Sequence, residues 1–437
     1  MRTIMITAPC SGSGKTIITM GIIRALKNKG LDIAPFKTGP DYIDASFLGK
    51  AGDKRCGNLD KHLQGEKGIF MALSLGNSDY CVIEGAMGYF DGIYNTYENS
   101  SYDISRTLGI NSVLVYTPSG EMFTAIPKIK GISEFEDSNI KAVIFNNVTN
   151  YQYILLKQSL EKFSPLRVLG YIPKIEEFEI KSRHLGLLQS VEIEDLDEKI
   201  ESIAKVVEEN IDIKALLGLM IDIKIDENMK TQRRDIRVGI AMDKAFSFYY
   251  RENLYLLESI CEVTYFSPLE DKSIPECDFL YFGGGYPEVF KNELSSNGSM
   301  LQSIKSFADK DGFIYAECGG FMYLTKAIDK SKMVGIFEGE SFLTKSLQRF
   351  GYIDIEIKED CLLGTKGDKI TAHEFHKSTV TAEGECGKAF SITKTMGEKK
   401  WECGFQYKNV LGGYPHINFL GNYGALQNIL EIVERSK

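Results

Sequence analysis

Two stretches of this chain carry residue types at spacings that could do chemistry. One is Gly12-Ser13-Gly14-Lys15-Thr16. Small residues let backbone N–H groups close on phosphate oxygens, a lysine reaches terminal phosphates, and a threonine hydroxyl can ligate Mg²⁺. The other is Glu317-Cys318-Gly319-Gly320. Flanking glycines permit the sharp turn that exposes a nucleophile, and a helix N-terminus after the turn is expected to draw the thiol toward thiolate. A cysteine nucleophile wants an imidazole to take and return its proton. His416, in Tyr414-Pro415-His416-Ile417-Asn418, is the chosen base, although Asn418 stands where a triad acid is sought. His373 and His376, in His373-Glu374-Phe375-His376, hint at a metal site, but no third ligand accompanies them.

Three further segments support these two. Lys37-Thr38-Gly39-Pro40-Asp41-Tyr42-Ile43-Asp44 follows an apolar run, which puts a lysine and two carboxylates past a strand's C-terminal end, where open α/β sheets bind ligands. Lys37 is suited to an anionic group or a transferring phosphoryl, and Asp41 to Mg²⁺. Glu84, at the tip of the buried run Cys81-Val82-Ile83, is a candidate Mg²⁺ ligand. Gly283-Gly284-Gly285 is costly in entropy unless its N–H groups face something, and an oxyanion hole is the natural use.

The elements that must position these residues are legible as apolar runs alternating with helical patterns. Ile4–Ile6 enters the first glycine loop, and Ile17, Met20, Ile23 and Leu26 mark the helix after it. The spacing departs from the standard phosphate loop at Pro9, where a glycine is expected. Further strands are expected at Ile33–Phe36, Ser112–Tyr116, Ala142–Asn146 and Val168–Ile172, giving a doubly wound parallel sheet. An acidic amphipathic helix is expected over 192–217, then a charged linker, Asp222–Asp235. A second α/β unit opens at Arg237, with a helix expected from Phe246–Tyr250 and strands at Val263–Phe266, Phe279–Phe282 and Phe313–Ala316. The domains expected are 1–190 for nucleotide binding, 191–235 for helix and linker, and 236–437 for the cysteine chemistry.

Composition bounds the rest. The 437 residues suggest two or three domains, and 43% hydrophobic content is ample for their cores. A net charge of −9 argues against nucleic acid or an anionic membrane as partner. The nine cysteines form no C-x-x-C pair, so neither a disulfide framework nor a zinc site is indicated. With no signal peptide pattern and no run long enough to span a bilayer, a soluble cytoplasmic protein is expected.

The chain resembles the cobyrinate a,c-diamide synthases of corrinoid biosynthesis over essentially its whole length. The resemblance rests on Ala8–Thr16, Phe36–Asp44, Asn58-Leu59-Asp60, Glu84–Asp91, Arg183-His184-Leu185-Gly186, Tyr281–Glu288, Ala316–Gly320 and His373–His376. It implies a dethiobiotin-synthetase-like P-loop domain joined to a class I glutamine amidotransferase domain. By it, Gly12, Gly14, Lys15, Thr16, Lys37, Asp41 and Glu84 serve ATP, with Thr16, Asp41 and Glu84 on Mg²⁺. Cys318 would be the nucleophile and His416 its base. Cobyrinate, ATP and L-glutamine are the implied substrates, through an acyl phosphate that ammonia displaces. A sister Ni-sirohydrochlorin a,c-diamide synthase stays open as an alternative, as does homodimerisation. A P-loop switch ATPase is a remote rival, since it needs no Cys318, and the cobyrate synthase branch is disfavoured by the Arg183 and His373 segments.

Overall fold

The computed structural model describes residues 1–174, 182–183, 186–187, 189–225, 231–381 and 387–437. His184 and Leu185 of the Arg183–Gly186 motif, Cys386 and the middle of the 222–235 linker lie outside them. The chain divides into two compact units, residues 1–228 and 229–437.

In the first unit, strands β1 (Arg2–Thr7), β2 (Ile33–Thr38), β3 (Gly57–Leu59), β4 (Tyr80–Glu84), β5 (Ser112–Tyr116), β6 (Ile140–Asn146) and β7 (Arg167–Ile172) form a parallel sheet ordered β3-β2-β4-β1-β5-β6-β7. Their near-continuous burial is what a sheet covered on both faces demands. The crossovers are α1 (Lys15–Asn28), α2 (Ile43–Gly52), α3 (Lys61–Ser74), α4 (Ser101–Leu108), α5 (Ala125–Glu134) and α6 (Asn150–Phe163). The chain runs from central β1 to the β3 edge, and then from β4 past β1 to the β7 edge, so the crevice beyond the C-terminal end of β1 is the ligand-binding position of this architecture. A short hairpin, β8 (Ser182–Arg183) with β9 (Gly186–Leu187), follows.

The acidic stretch expected as one helix is two, α7 (Leu196–Asn210) and α8 (Ile213–Leu219), broken where Asp212 caps α8 by accepting from the Ala215 N–H (2.8 Å). Helix α7 belongs to the first unit's core. Gly21 of α1 leaves room for Ile203 and Val207, and Asp197 pairs with Arg24 (3.2 Å) and Lys50 (2.7 Å). The chain then adds β10 (Ile221–Asp222), antiparallel to the start of β1.

The second unit has β11 (Arg237–Ala241), α9 (Arg251–Ile260), β12 (Glu262–Phe266), β13 (Phe279–Phe282), α10 (Lys291–Ser296), α11 (Gly298–Asp309), β14 (Phe313–Glu317) and α12 (Gly319–Leu324). A small second sheet follows: β15 (Thr325–Ile328), β16 (Ser331–Lys332), β17 (Phe337–Leu343) and, later in the chain, β20 (Ser378–Val380). The remaining elements are β18 (Arg349–Ile357), β19 (Lys369–His376), β21 (Lys388–Lys394), β22 (Lys400–Tyr407), β23 (Val410–Gly413) and α13 (Tyr423–Arg435). The main sheet runs β12-β11-β13-β14-β23-β22-β21-β18-β19, parallel as far as β23 and antiparallel beyond. The helix expected from Phe246–Tyr250 starts only at Arg251. Ser247 and Phe248 instead donate to the Gly284 carbonyl (3.1 and 3.0 Å), which ties this stretch to the glycine loop.

Candidate active sites

The first site sits beyond β1. Gly12 and Gly14 both adopt φ of 77°, a left-handed conformation that glycine takes without strain. Gly14 is needed for space as well, because a Cβ there would lie 2.5 Å from Asn146 Nδ2. That amide, at the tip of β6, donates to the Ser13 carbonyl (3.0 Å) and to Thr117 Oγ1 (3.1 Å), while Thr117 itself donates to the Ser13 carbonyl (3.0 Å). The loop is thereby held from the tips of β5 and β6. A cleft of about 520 Å³ borders it, lined by Pro9, Cys10, Ser13, Tyr116 and Lys128 among others.

Lys37, only 2% exposed, reaches from the end of β2 to two carboxylates, Glu84 at the tip of β4 (2.7 Å) and Asp44 in the first turn of α2 (2.8 Å). Thr16 donates to the same Glu84 oxygen (2.8 Å) and lies 3.5 Å from Asp44. Burial pulls the Lys37 pKa down, but Glu84, Asp44 and Asp41 outweigh it and hold the ammonium charged. Burial also raises Asp44, yet Lys37 wins and keeps it below the usual carboxylate range. Glu84 stays above that range because burial exceeds the pull of Lys37. Lys15 is buried in the same cluster, its pKa lowered by burial and then by Lys37.

Asp41 stands one step back. Its carboxylate accepts the Asp44 N–H (2.9 Å), and burial and then Asp44 push its pKa up to about 6. Asp44 is thus the carboxylate that meets Lys37 and Thr16. The sequence marks both carboxylates of Lys37–Asp44 as lying past a strand end but assigns Mg²⁺ to Asp41; the position of Asp44 in the first turn of a helix is what distinguishes it. The Asn58-Leu59-Asp60 motif supports this loop from below. Asn58 donates to the Gly39 and Asp41 carbonyls (2.8 and 3.0 Å), and Asp60 caps α3 through the His62 and Leu63 N–H groups (both 3.0 Å).

The second site is the elbow between β14 and α12. Cys318 has φ of 47° and ψ of −104°, a conformation a non-glycine residue adopts at a cost and keeps only where its surroundings enforce it. Its N–H is fixed to the Gly413 carbonyl (2.7 Å), and the Gly320 N–H to the Gly283 carbonyl (3.0 Å). Gly319 and Gly320 are required by proximity. A Cβ on either would come within 3 Å of the 282–285 backbone.

Within the glycine loop, the Gly283 N–H donates to the Tyr249 hydroxyl (2.7 Å) and the Gly284 N–H to the Phe248 carbonyl (3.2 Å). Two of the three donors expected of an oxyanion hole are therefore engaged. The Gly285 N–H has no such bond among the described residues, and it lies against Gly319.

His416 follows β23 and is 2% exposed. It exchanges two backbone hydrogen bonds with His373 of β19 (3.1 and 2.8 Å), and Asn253 of α9 clamps the next residues through the Ile417 carbonyl and the Phe419 N–H (both 2.7 Å). The Cε1/Nε2 edge of its ring faces Gly284, so this imidazole and the elbow flank the same glycine loop. Asn418 accepts the Leu420 N–H (3.0 Å), shaping a turn. His376 stacks on Tyr414, centroids 3.8 Å apart, and accordingly faces a phenol ring.

The expected lowering of the Cys318 pKa is not what the environment gives. Burial, and then Glu288, Glu374 and Glu317, push the thiol above its ordinary value, and the Gly319 N–H only partly opposes them. Helix α12 has six residues, too few for a strong dipole. Burial, then the charges of His373 and His376, lowers His416 to about 3. The resting pair is thus a neutral thiol and a neutral imidazole.

A phosphate loop backed by a lysine–carboxylate cluster, together with a cysteine elbow facing an imidazole across a glycine loop, defines a glutamine amidotransferase joined to a nucleotide-binding ligase. Residues 4–188 match the CobQ/CobB/MinD/ParA nucleotide binding domain, and residues 237–423 the CobB/CobQ-like glutamine amidotransferase domain. The chain is 46% identical to a cobyrinate a,c-diamide synthase of Clostridium tetani, over 99% of this chain and 100% of that one. It is 44% identical to that of Clostridium acetobutylicum (98% and 100%) and 40% identical to that of Caldanaerobacter subterraneus (95% and 95%). The chain belongs to the cobyrinate a,c-diamide synthase family.

Proposed function

We propose that this chain converts the a and c acetate carboxylates of cobyrinate to amides, using ATP and glutamine. The observation that carries this reading is the presence, in one chain that matches a family member over 99% of its length, of both a phosphate loop with its lysine–carboxylate cluster and a strained cysteine elbow that flanks the same glycine loop as a histidine.

At the first site, the loop around Gly12 and Gly14, with Lys15, holds the ATP phosphates. A substrate carboxylate oxygen attacks the γ-phosphorus, ADP leaves, and Lys37 steadies the acyl phosphate. Thr16, Asp44 and Glu84 would supply hard oxygen ligands to Mg²⁺, and Glu84 Oε2 is buried without a hydrogen-bond partner. Among the described residues no group of three or more His, Cys, Asp or Glu could hold a metal by itself. That suits Mg²⁺, which takes one or two carboxylates and completes its shell with phosphate oxygens and water. Asp41 then acts by orienting Asp44. When bound, Mg²⁺ neutralises charge on the transferring phosphoryl group.

At the second site, Cys318 gives its proton to His416 and attacks the side-chain amide carbon of glutamine. The Gly285 and Gly319 N–H groups face the oxyanion. The imidazolium returns the proton to the leaving nitrogen, ammonia departs, and water hydrolyses the thioester to glutamate. Ammonia then displaces phosphate from the acyl phosphate to give the amide.

No helix among the described residues is long and apolar enough to cross a membrane. Light scattering would establish whether the enzyme is a homodimer. The deciding experiment is ATP- and glutamine-dependent mass gain on purified cobyrinate and on Ni-sirohydrochlorin, with and without Mg²⁺. Two amidations on cobyrinate are expected. Product from the nickel macrocycle alone would move the enzyme to another pathway, and no product from either would overturn the ligase reading.

A further inference from the structure

The residue before the nucleophile is itself an acid, and the fold builds a place for it. Glu317 ends β14 and is 1% exposed. Its Oε1 accepts the Tyr315 hydroxyl (2.9 Å) and the Ile417 N–H (3.0 Å), and its Oε2 accepts the Tyr281 hydroxyl (2.9 Å). Three donors from three segments fix a carboxylate that packing alone would expel. The same Oε2 lies 3.9 Å from His416 Nδ1. The Cε1/Nε2 edge of that ring faces the glycine loop beside Cys318. Acid, imidazole and thiol are therefore in the order that proton transfer from sulfur requires, with the acid supplied by the elbow strand. The donor from Ile417, next to the base, makes Glu317 also a brace for the segment carrying His416.

We propose that Glu317 is the positioning residue of the glutaminase, orienting the His416 ring and holding the imidazolium that forms when the Cys318 proton moves to Nε2. This rests on the assignment of Cys318 and His416 above. The proton leaves Sγ for Nε2 and the positive charge stays on the ring beside Glu317. It is discharged when the proton passes to the departing ammonia. Burial raises the Glu317 pKa to about 7 against the pull of its three donors. Tyr249, Tyr281, Tyr315, Cys318 and His416 are the titratable groups around it.

The test compares Glu317→Gln, Glu317→Asp and His416→Asn in the full chain, reading glutamine hydrolysis and the rate at which iodoacetamide alkylates Cys318 across pH. Glu317→Gln should lower kcat about 10²-fold with KM for glutamine little changed, as loss of support for a general base implies. Alkylation should slow by about tenfold near pH 7 and converge with the parent at high pH, where the thiol ionises without help. Glu317→Asp should recover part of both. Should Glu317→Gln fail to fold, as its melting curve would show, Tyr281→Phe and Tyr315→Phe keep the acid but remove one donor each. They should move the acidic limb of the kcat profile to higher pH. Wild-type kcat and alkylation in Glu317→Gln, or unmoved limbs in both tyrosine variants, would overturn the proposal. If His416→Asn also leaves alkylation and turnover intact, the base assignment itself is wrong. If only His416→Asn is impaired, the assignment stands and the role of Glu317 is refuted.

Discussion

Gly284→Ala asks whether the glycine loop sets the position of the catalytic ring. The added Cβ would lie 2.4 Å from His416 Cε1 and 3.3 Å from both His416 Nε2 and Phe248 Cβ. Non-bonded carbons settle at about 3.5 Å or more, so something must yield by about 1 Å. Gly284 has no positive φ, and alanine takes its conformation without strain. The loop backbone is pinned by hydrogen bonds to Ser247 and Phe248, and the His416 backbone is pinned to His373. The imidazole side chain is what moves. A displacement of about 1 Å at a reacting group costs about 10²-fold, or about 2.7 kcal/mol in the barrier. Glutamine hydrolysis, followed as glutamate release, should fall by that factor in kcat. Overpacking should remove about 1–3 kcal/mol of stability, and amidation driven by added ammonium should persist. Parental glutamine turnover in a folded Gly284→Ala protein would refute the steric reasoning. Loss of ammonium-driven amidation as well would show that the damage is global.

Cys318→Ser should abolish glutamine use while amidation from ammonium continues; loss of both would contradict a division of labour between the two sites. Lys37→Met strands the buried Glu84 and the half-buried Asp44 and should destabilise the first unit by about 3–5 kcal/mol in urea titrations, with Glu84→Gln on the same background recovering part of that. The pH dependence of the second unit follows from opposing groups, and Trp401, the chain's single tryptophan, reports on its unfolding. His373 and His416 are lowered to about 3, so the unfolded chain binds more protons below pH 6.5 and their contribution is lost as pH falls through that window. Glu288 and Glu317 are raised to about 7, so the folded chain holds more protons between 4.5 and about 7, and their contribution is lost as pH rises. Stability should change little where these windows overlap and fall steeply below about pH 4.5, where the histidine contribution acts alone. A monotonic loss from pH 6.5 downward would mean that Glu288 and Glu317 ionise normally.

The phosphate loop, the buried strands and the cysteine elbow were legible because each is local. A strand, a small-residue turn and a helix lie within about twenty residues, and their chemistry depends on that order. The choice between Asp41 and Asp44 was not local. It depends on where α2 begins, since the first turn aims Asp44 at Lys37 and leaves Asp41 to accept its N–H. The pairing of His373 with His416 was beyond pattern reading, because it joins an edge strand to a loop through two backbone bonds. The docking of α7 on α1 was equally hidden. Its acidic face reads as solvated until Arg24 and Lys50 are seen opposite it.

The thiol shows most plainly what position adds to pattern. An elbow before a helix argues for a thiolate, but the helix is short and the sulfur is buried, and desolvation of the charged form exceeds what a short helix offers. The same burial keeps His416 neutral, so each partner alone resists the charge it must carry during turnover. A neutral pair can convert to thiolate and imidazolium only if something nearby favours the separated charges more than the surrounding protein opposes them. On the sulfur side the Gly319 N–H is such a group. On the nitrogen side, Glu317 is a buried carboxylate placed 3.9 Å from the ring and fixed by three donors. Cys318 and His416 are 7% and 2% exposed, so either charge would have little solvent to turn to. The chemistry at Cys318 therefore depends on a residue one position away in sequence that acts from the far side of the histidine.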